Sequence, residues 1–257
     1  MNARVVAAAR GVRWLAEGWR MFRVAPLGWL ALVFGYLMAT ILLSLVPVVG
    51  TMAASILVPV FSVGFMTASR AASHARPVEL PMLFAGFRER LPGQLLLGVV
   101  YTLGLAAAVA GSALVDDGEL LRWLTTPVRT GADAEVADQL LPGMAASAAL
   151  YAPTMMGLWF APPLVAWHSM AAPKALFYSF FACWRNWRAF IAYGLTAVFV
   201  AVVLPSVVLM LLAFATGGAV RVHPKALLFP LLLILLPTLF ASYYASYRDV
   251  FEAKDGG

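Results

Sequence analysis

Six apolar segments, each long enough for a helix that crosses a lipid bilayer, constrain this chain more than any other feature. A hydrocarbon core of about 30 Å requires roughly 20 apolar residues in a helix. Segments of this kind cover residues 27–46, 48–68, 95–115, 144–167, 189–215 and 226–247. The composition agrees, since 63% of the residues are apolar and 12% are charged. The sequence therefore predicts an all-α membrane protein, a single helical bundle of six spans over residues 1–257.

The basic residues predict how these spans are oriented. Of the 18 Lys and Arg residues, 14 lie on one side of the membrane, in the segments before spans one, three and five and after span six. The other 4 lie in the loops on the opposite side, together with six acidic residues. Loops rich in Lys and Arg stay in the cytoplasm. Both termini are therefore expected in the cytoplasm, and the acidic loop 116–143 is expected outside. An alternative has five spans, with a re-entrant fourth segment and an external C-terminus.

A short amphipathic helix is predicted before the first span. Its charged residues recur three or four positions apart and form one helical stripe: Arg10, Arg13, Glu17 and Arg20. Its apolar residues occupy the other side: Trp14, Leu15, Trp19 and Phe22. This pattern is typical of a helix in the membrane interface, with its apolar face among acyl chains and its Arg face toward lipid phosphates.

One motif recurs before spans one, three and five, and we name it the Arg–aromatic motif. An aromatic residue is followed directly by Arg, and a second Arg comes two or three residues later. The three copies are Trp19 with Arg20 and Arg23, Phe87 with Arg88 and Arg90, and Trp184 with Arg185 and Arg188. A guanidinium grips a phosphate with two parallel hydrogen bonds, so the six arginines are candidate sites for anionic lipid headgroups. In the alternative, they only fix the topology.

The returning spans share a second spacing. Pro59, Pro163 and Pro237 are each followed eleven residues later by a basic residue. With the Arg–aromatic motifs, this predicts a threefold repeat of interfacial helix, outward span, and inward span kinked by proline. The predicted repeats cover residues 14–70, 82–174 and 178–248. Aromatic and basic residues are common at membrane boundaries, so a chance similarity is the alternative.

Three stretches carry a resemblance to a known family. They are PVFSVGF (59–65), FFACWRNWRAF (180–190) and FASYYASYRDVF (240–251). With them, essentially the whole chain resembles an uncharacterised family of beta-proteobacterial six-span membrane proteins, which implies the bacterial inner membrane without implying an activity. The Tyr-x-Arg-Asp ending of the last span also resembles the membrane domain attached to some glycerophosphodiester phosphodiesterases. A phosphodiesterase domain is not expected here.

Groups for catalysis, metal binding or ion coupling are not expected. The six predicted spans contain no Asp, Glu, Lys, Arg or His, the residues that ion-coupled transporters usually place there. A zinc site needs three or four ligands at short spacing, and three scattered histidines with one cysteine do not supply them. Cys183 lies beside Trp184 and Phe181 and is predicted to face lipid. We therefore expect no catalytic residue, no metal and no cofactor, and the protein is not expected to be an enzyme.

These observations favour a protein that acts through contacts. The formal net charge of +6 indicates anionic lipid rather than nucleic acid as the partner in so apolar a chain. We expect an organiser or accessory subunit in the membrane, with anionic lipids and a membrane protein as partners. The alternative is a permease or carrier for an apolar or anionic amphiphile, because kinked spans line the substrate sites of many transporters. An enzyme that acts on lipid is a third possibility.

Overall fold

The structure, a computed structural model, describes residues 3–125, 134–216 and 224–252, which are almost entirely helical. No strand occurs among these residues, so the predicted all-α class is confirmed. The helices are α1 (Ala9–Val24), α2 (Pro26–Ser44), α3 (Val49–Ile56), α4 (Val58–Ser73), a 3-10 helix (Leu80–Phe87), α5 (Leu91–Asp116), α6 (Glu119–Thr125), α7 (Ala134–Trp159), α8 (Ala161–His168), α9 (Ala172–Arg185), α10 (Trp187–Val198), a π-helical turn (Phe199–Val203), α11 (Leu204–Ala215) and α12 (Pro224–Phe251).

Three helical stretches of the described chain are long and apolar enough to cross a membrane. They are α2, α5 and the continuous stretch Trp187–Leu211 through α10, the π-helical turn and α11. The pair α3 and α4 adds a fourth candidate if it is one span, bent by 41°. No part of the most apolar window in Trp187–Leu211 is buried inside the protein. A helix with apolar side chains exposed all round is suited to lipid.

Proline lies next to a break in two of the returning helices and inside an unbroken helix in the third. Pro59 is the second residue of α4 and follows the break at Leu57. Pro163 is the third residue of α8 and follows the break at Phe160. The first turn of a helix tolerates proline because its N–H groups lack partners there anyway. Pro237 instead lies within α12, which is one helix from end to end.

A serine from a different helix stabilises the break between α7 and α8. The Ser179 hydroxyl accepts a hydrogen bond from the Phe160 backbone N–H at 2.8 Å and donates to the Met156 carbonyl at 2.7 Å. Phe160 N–H and Met156 C=O would bond to each other in a regular helix. The buried hydroxyl therefore sits between two partners of the helical ladder, a known cause of a sharp bend.

The chain divides into two compact units, each built from separate segments. The first unit comprises Met1–Leu42, Phe61–Arg88 and Ala182–Gly257, and the second comprises Leu43–Val60 and Glu89–Phe181. Aromatic rings fill the core of the first unit, where Phe65 and Phe240 stack with 3.8 Å between ring centroids and Tyr36 meets both edge-on. The prediction of a single domain stays a prediction.

The second unit pairs α5 with α7. A Cβ built at Gly104 of α5 would lie 2.4 Å from the Thr154 side chain of α7, so the absence of a side chain lets the helices approach. Tyr101 and Tyr151 meet edge-on nearby, with ring centroids 6.0 Å apart. Buried Gln94 donates to the carbonyl of Pro162 at 2.9 Å and ties α5 to α8.

The predicted outside loop is partly helical. The described part of segment 116–143 includes α6 and the first turns of α7, which begins well before the predicted start of span four. The buried Asp116 carboxylate accepts hydrogen bonds from the backbone N–H groups of Gly118 at 3.0 Å and Leu120 at 2.9 Å. A carboxylate at the start of α6 stabilises the helix by satisfying its free N–H groups. Arg129, Arg221 and Lys254, used in the charge count, lie outside the described residues.

Candidate functional site

Each Arg–aromatic motif lies at a junction between two helical segments. The first motif is in the last turns of α1, directly before the break at Ala25. The second follows the 3-10 helix and ends at Arg90, the residue before α5. The third ends α9, and Asn186 separates it from α10. All six candidate arginines are exposed: Arg20, Arg23, Arg88, Arg90, Arg185 and Arg188.

Exposed aromatic rings accompany these arginines. The Arg23 guanidinium carbon lies 5.7 Å from the centroid of the Trp19 ring. Arg188 makes the same kind of contact with Trp187, at 5.4 Å. Cation–π contacts of this kind orient a guanidinium over a ring. Trp184 of the third motif is 62% exposed, so charge and apolar ring share one patch of surface, as interfacial aromatic and basic residues do.

Three of the four residues of the apolar face of α1 pack against protein, which corrects the expectation that this face lies among acyl chains; the fourth, Trp19, is exposed. Trp14 is fully buried and Leu15 and Phe22 are nearly so. The Trp14 ring meets Phe190 of α10 edge-on, with centroids 5.3 Å apart. An amphipathic stripe has the same sequence pattern whether it faces lipid or a protein surface, because both are apolar.

Two glycines seven residues apart allow α1 to approach its neighbours closely. A Cβ at Gly11 would lie 2.0 Å from the carbonyl oxygen of Ala189 in α10. A Cβ at Gly18 would lie 2.3 Å from the carbonyl oxygen of Thr238 in α12. Both atoms that would be struck are backbone atoms and cannot rotate away. Small residues on one helical face are typical of close helix packing in membranes.

A group of charged residues lies between α1 and the end of α12 and was not predicted from the sequence. Asp249 accepts hydrogen bonds from Arg10 Nε at 2.5 Å, from Arg10 Nη2 at 2.6 Å and from the Trp14 indole N–H at 2.8 Å. Glu17, which is buried, accepts from Arg10 Nη2 at 3.2 Å and from Arg248. Arg20 Nη2 lies 3.8 Å from the same carboxylate. Bidentate arginine–carboxylate pairs are among the stronger polar contacts.

These charges raise the pKa of Arg10. Burial alone would lower its pKa, and the hydrogen bond and negative charge of Asp249 more than offset that effect, so the pKa is raised. The opposite charges of Arg10, Glu17, Arg248 and Asp249 compensate one another within the group. The group therefore joins the two ends of the chain rather than offering a free charge.

A polar cavity of about 760 Å³ borders this group of charges. Its walls include the N-terminal segment, α1, the end of α4 and the end of α12. The N-terminal segment is held in place by buried Asn186, which accepts from the Val6 N–H at 2.8 Å and donates to the Arg4 carbonyl at 2.9 Å. Among the described residues, Arg4 and Arg13 line the cavity without an ion pair.

Metal ligands and a reactive cysteine are the other groups that could carry out chemistry in the described part of the chain. No cluster of three or more His, Cys, Asp or Glu side chains with metal-binding geometry occurs there. Cys183 is buried, which corrects the expectation that it faces lipid; its neighbour Trp184 is exposed instead. Helical periodicity explains this, because adjacent residues on a helix point about 100° apart.

Long, apolar, lipid-suited helices with arginine and tryptophan at their junctions define an integral membrane protein of the all-helical class. The chain is 37% identical to a probable inner membrane protein of Burkholderia thailandensis, in a match that covers 98% of this chain and 94% of the relative. It therefore belongs to the same family as that protein. No family model matches the chain, and no solved structure matches it.

Proposed function

We propose that this inner-membrane protein binds the headgroups of anionic phospholipids through its three Arg–aromatic motifs and serves as an organiser or accessory subunit without enzymatic activity. The observation that carries the proposal is the exposure of all six arginines, each in a motif at a helix junction. Each basic residue near an anionic membrane surface contributes about 1 kcal/mol. Paired guanidiniums beside an exposed ring therefore have the chemistry of a headgroup site.

The competing interpretation is that these arginines only fix the topology. Lysine serves that purpose as well, because the positive-inside rule counts charge. Lysine and arginine differ in geometry, since only the planar guanidinium offers two parallel hydrogen bonds to a phosphate. Replacing arginine by lysine thus separates the two interpretations.

The third motif is the best place for this test. Arg185 and Arg188 form no ion pair with any residue that the structure describes. We expect Arg185→Lys with Arg188→Lys to insert normally and to retain less phosphatidylglycerol or cardiolipin in native mass spectrometry. The matched control is the pair of Gln variants, which removes charge as well. Retention that is unchanged with Lys and lost with Gln would identify the arginines as generic positive charges and overturn the guanidinium headgroup site.

We further propose six spans with both termini in the cytoplasm and the threefold repeat. The lengths of α7, at 26 residues, and α12, at 28 residues, support two spans beyond the four candidates, because 20 helical residues cover about 30 Å. An enzyme reporter that works only outside the cytoplasm should be silent when fused after Gly257 and active when inserted near Ala132. The reverse result contradicts the proposed orientation. The likeness to the phosphodiesterase-linked membrane domain stays a prediction.

A carrier for an amphiphile is the second candidate. The break between α7 and α8, held by Ser179 and followed by Pro162 and Pro163, favours it, since broken helices line transporter sites. Vesicles that contain the protein and fluorescent phosphatidylglycerol test this candidate directly. An impermeant reductant bleaches only the fluorescent lipid of the outer leaflet unless the protein moves lipid between leaflets. Bleaching that exceeds the outer-leaflet fraction, and that is smaller with Ser179→Ala, would support a carrier. Bleaching equal to that of protein-free vesicles would argue against it.

A further inference from the structure

An apolar groove lies beside the first Arg–aromatic motif. It has a volume of about 300 Å³ and exposes no polar surface. Its walls belong to α1, to α10 with the π-helical turn, and to α12. The residues that matter here are Val12, Ala16, Trp19, Val200, Leu235 and Thr238.

The two threonines of the groove lining do not make it polar. Thr196 donates its hydroxyl proton to the carbonyl of Ala192 at 2.7 Å, and Thr238 donates to that of Ile234 at 2.7 Å. A hydroxyl that donates to its own helix has no proton left to donate to another group. A group that needs a hydrogen-bond donor would therefore find none from these two hydroxyls and would lose free energy in this groove.

Trp19 connects the groove with the arginines. Its ring lines the groove and also lies 5.7 Å from the guanidinium carbon of Arg23. Arg20 and Arg23 are both exposed. A positively charged patch and an apolar groove thus meet at Trp19. This arrangement is complementary to an anionic headgroup with its attached acyl chain.

We propose that this groove holds one acyl chain of an anionic phospholipid whose headgroup lies at Arg20 and Arg23. The inference rests on the proposed function and assigns the ligand of its first motif. The exposed charges of Arg20 and Arg23 at one end of the apolar groove favour an anionic lipid as the occupant. A helix from a second copy would cover the groove without offering a negative charge to these arginines.

Packing, rather than removal from water, supplies the driving force for the chain. An acyl chain gains no hydrophobic free energy on moving from the bilayer to the groove, because both are apolar. An empty groove would lose dispersion contacts along its walls. The arginines therefore provide most of the affinity for the lipid, and packing in the groove fixes the position of its chain and adds a smaller part of the affinity.

Photocrosslinking tests the position of the chain. The full-length protein is placed in phosphatidylglycerol vesicles that contain a phosphatidylglycerol with a diazirine in one acyl chain, and labelled peptides are mapped by mass spectrometry. We expect labels around Leu235 of α12 and around Ala16 of α1. Ala16 is exposed, so Ala16→Trp fills the groove from its open side.

The control is Leu195→Trp, because Leu195 is 67% exposed on α10 and does not line the groove. We expect Ala16→Trp to abolish labelling near Leu235 and Leu195→Trp to preserve it. Loss of about ten carbon contacts should also lower lipid retention in native mass spectrometry about fivefold. Unfolding temperatures equal to that of the unsubstituted protein show that both variants fold normally.

Two outcomes separate the groove from the headgroup sites. Unchanged labelling in Ala16→Trp overturns the groove, even where Arg20→Gln with Arg23→Gln lowers lipid retention. Unchanged retention in that double arginine variant overturns the headgroup site of this motif, whatever Ala16→Trp does. Crosslinks between two protein chains through the groove residues would identify a second copy as the occupant and overturn the inference.

Discussion

Removal of the Asp249 carboxylate should separate α1 from the end of α12. This side chain accepts three hydrogen bonds, two from Arg10 and one from the indole N–H of Trp14. Trp14 is fully buried, so Asp249→Ala leaves its N–H without an acceptor. Arg10, whose side chain is 24% exposed, loses its bidentate partner and keeps only Glu17.

The expected cost follows from these two losses. A buried donor without a partner costs about 1–3 kcal/mol. Breaking a fully buried ion pair costs about 3–5 kcal/mol and an exposed one about 1 kcal/mol or less, so the partly exposed Arg10 pair lies between these limits. We expect a total of about 3 kcal/mol. At 2–4 °C per kcal/mol for a chain of this size, the unfolding temperature should fall by about 6–12 °C.

Thermal unfolding in detergent, followed by tryptophan fluorescence, measures this shift. Glu89→Ala is a suitable control, because Glu89 is exposed and forms no ion pair with a described residue. Surface substitutions of that kind change stability by about 0.5 kcal/mol or less. Asp249→Asn should fall between the two, since its amide oxygen can still accept from Trp14.

A double-mutant cycle identifies the orphaned indole as a cause. Trp14→Phe retains a ring against Phe190 and removes the N–H, so the cost of Asp249→Ala should be smaller in that background by about 1 kcal/mol or more. A shift of the unfolding temperature by Asp249→Ala no larger than that by Glu89→Ala, or an additive cycle, would contradict the structural role of the Asp249 carboxylate.

Three further predictions concern other contacts. Gly18→Ala should destabilise the protein by about 1–3 kcal/mol, the usual cost of overpacking, because the new Cβ would lie 2.3 Å from the Thr238 carbonyl oxygen. The control is Gly194→Ala, whose Cβ would have no atom within 4 Å. It should be neutral or stabilising in the same thermal assay. Ser179→Ala should cost about 1–3 kcal/mol by removing a buried hydroxyl from between two backbone groups, while Ser206→Ala, whose exposed hydroxyl bonds only to its own helix, should leave the unfolding temperature unchanged. Asn186→Ala should release the N-terminal segment, so that the Val6 amide exchanges its hydrogen faster; unchanged exchange would contradict the anchoring role.

The helical class and the apolar spans could be predicted because they depend on local composition. An apolar run such as that of α2 needs no knowledge of its neighbours to be recognised. The junctions at the Arg–aromatic motifs were also visible, since Arg20 and Arg185 stand where apolar runs begin. Local signals of this kind survive whatever the tertiary arrangement is.

The contacts of α1 could not be predicted from its own stripe. Arg248 and Glu17 are 231 residues apart in the chain, and their pairing depends on α1 lying along α12. Gly11 and Gly18 were the available signal, because two glycines on one face serve no purpose in a helix that faces fluid lipid. The serine at the break of α7 gave no such signal, since Ser179 is one of many hydroxyl residues in this chain.

Arginines that are already paired with carboxylates of the protein are less available to bind anionic lipid. Arg10 and Arg248 are paired with buried or half-buried carboxylates, and Trp14, Leu15 and Phe22 of α1 are buried inside the protein. Arg20 still lies 3.8 Å from Glu17, so an anionic headgroup would compete there with a protein carboxylate. Arg185 and Arg188 meet no such competitor among the described residues. The third motif should therefore retain anionic lipid more tightly than the first, and substitutions at Arg185 and Arg188 should remove more bound lipid than those at Arg20 and Arg23.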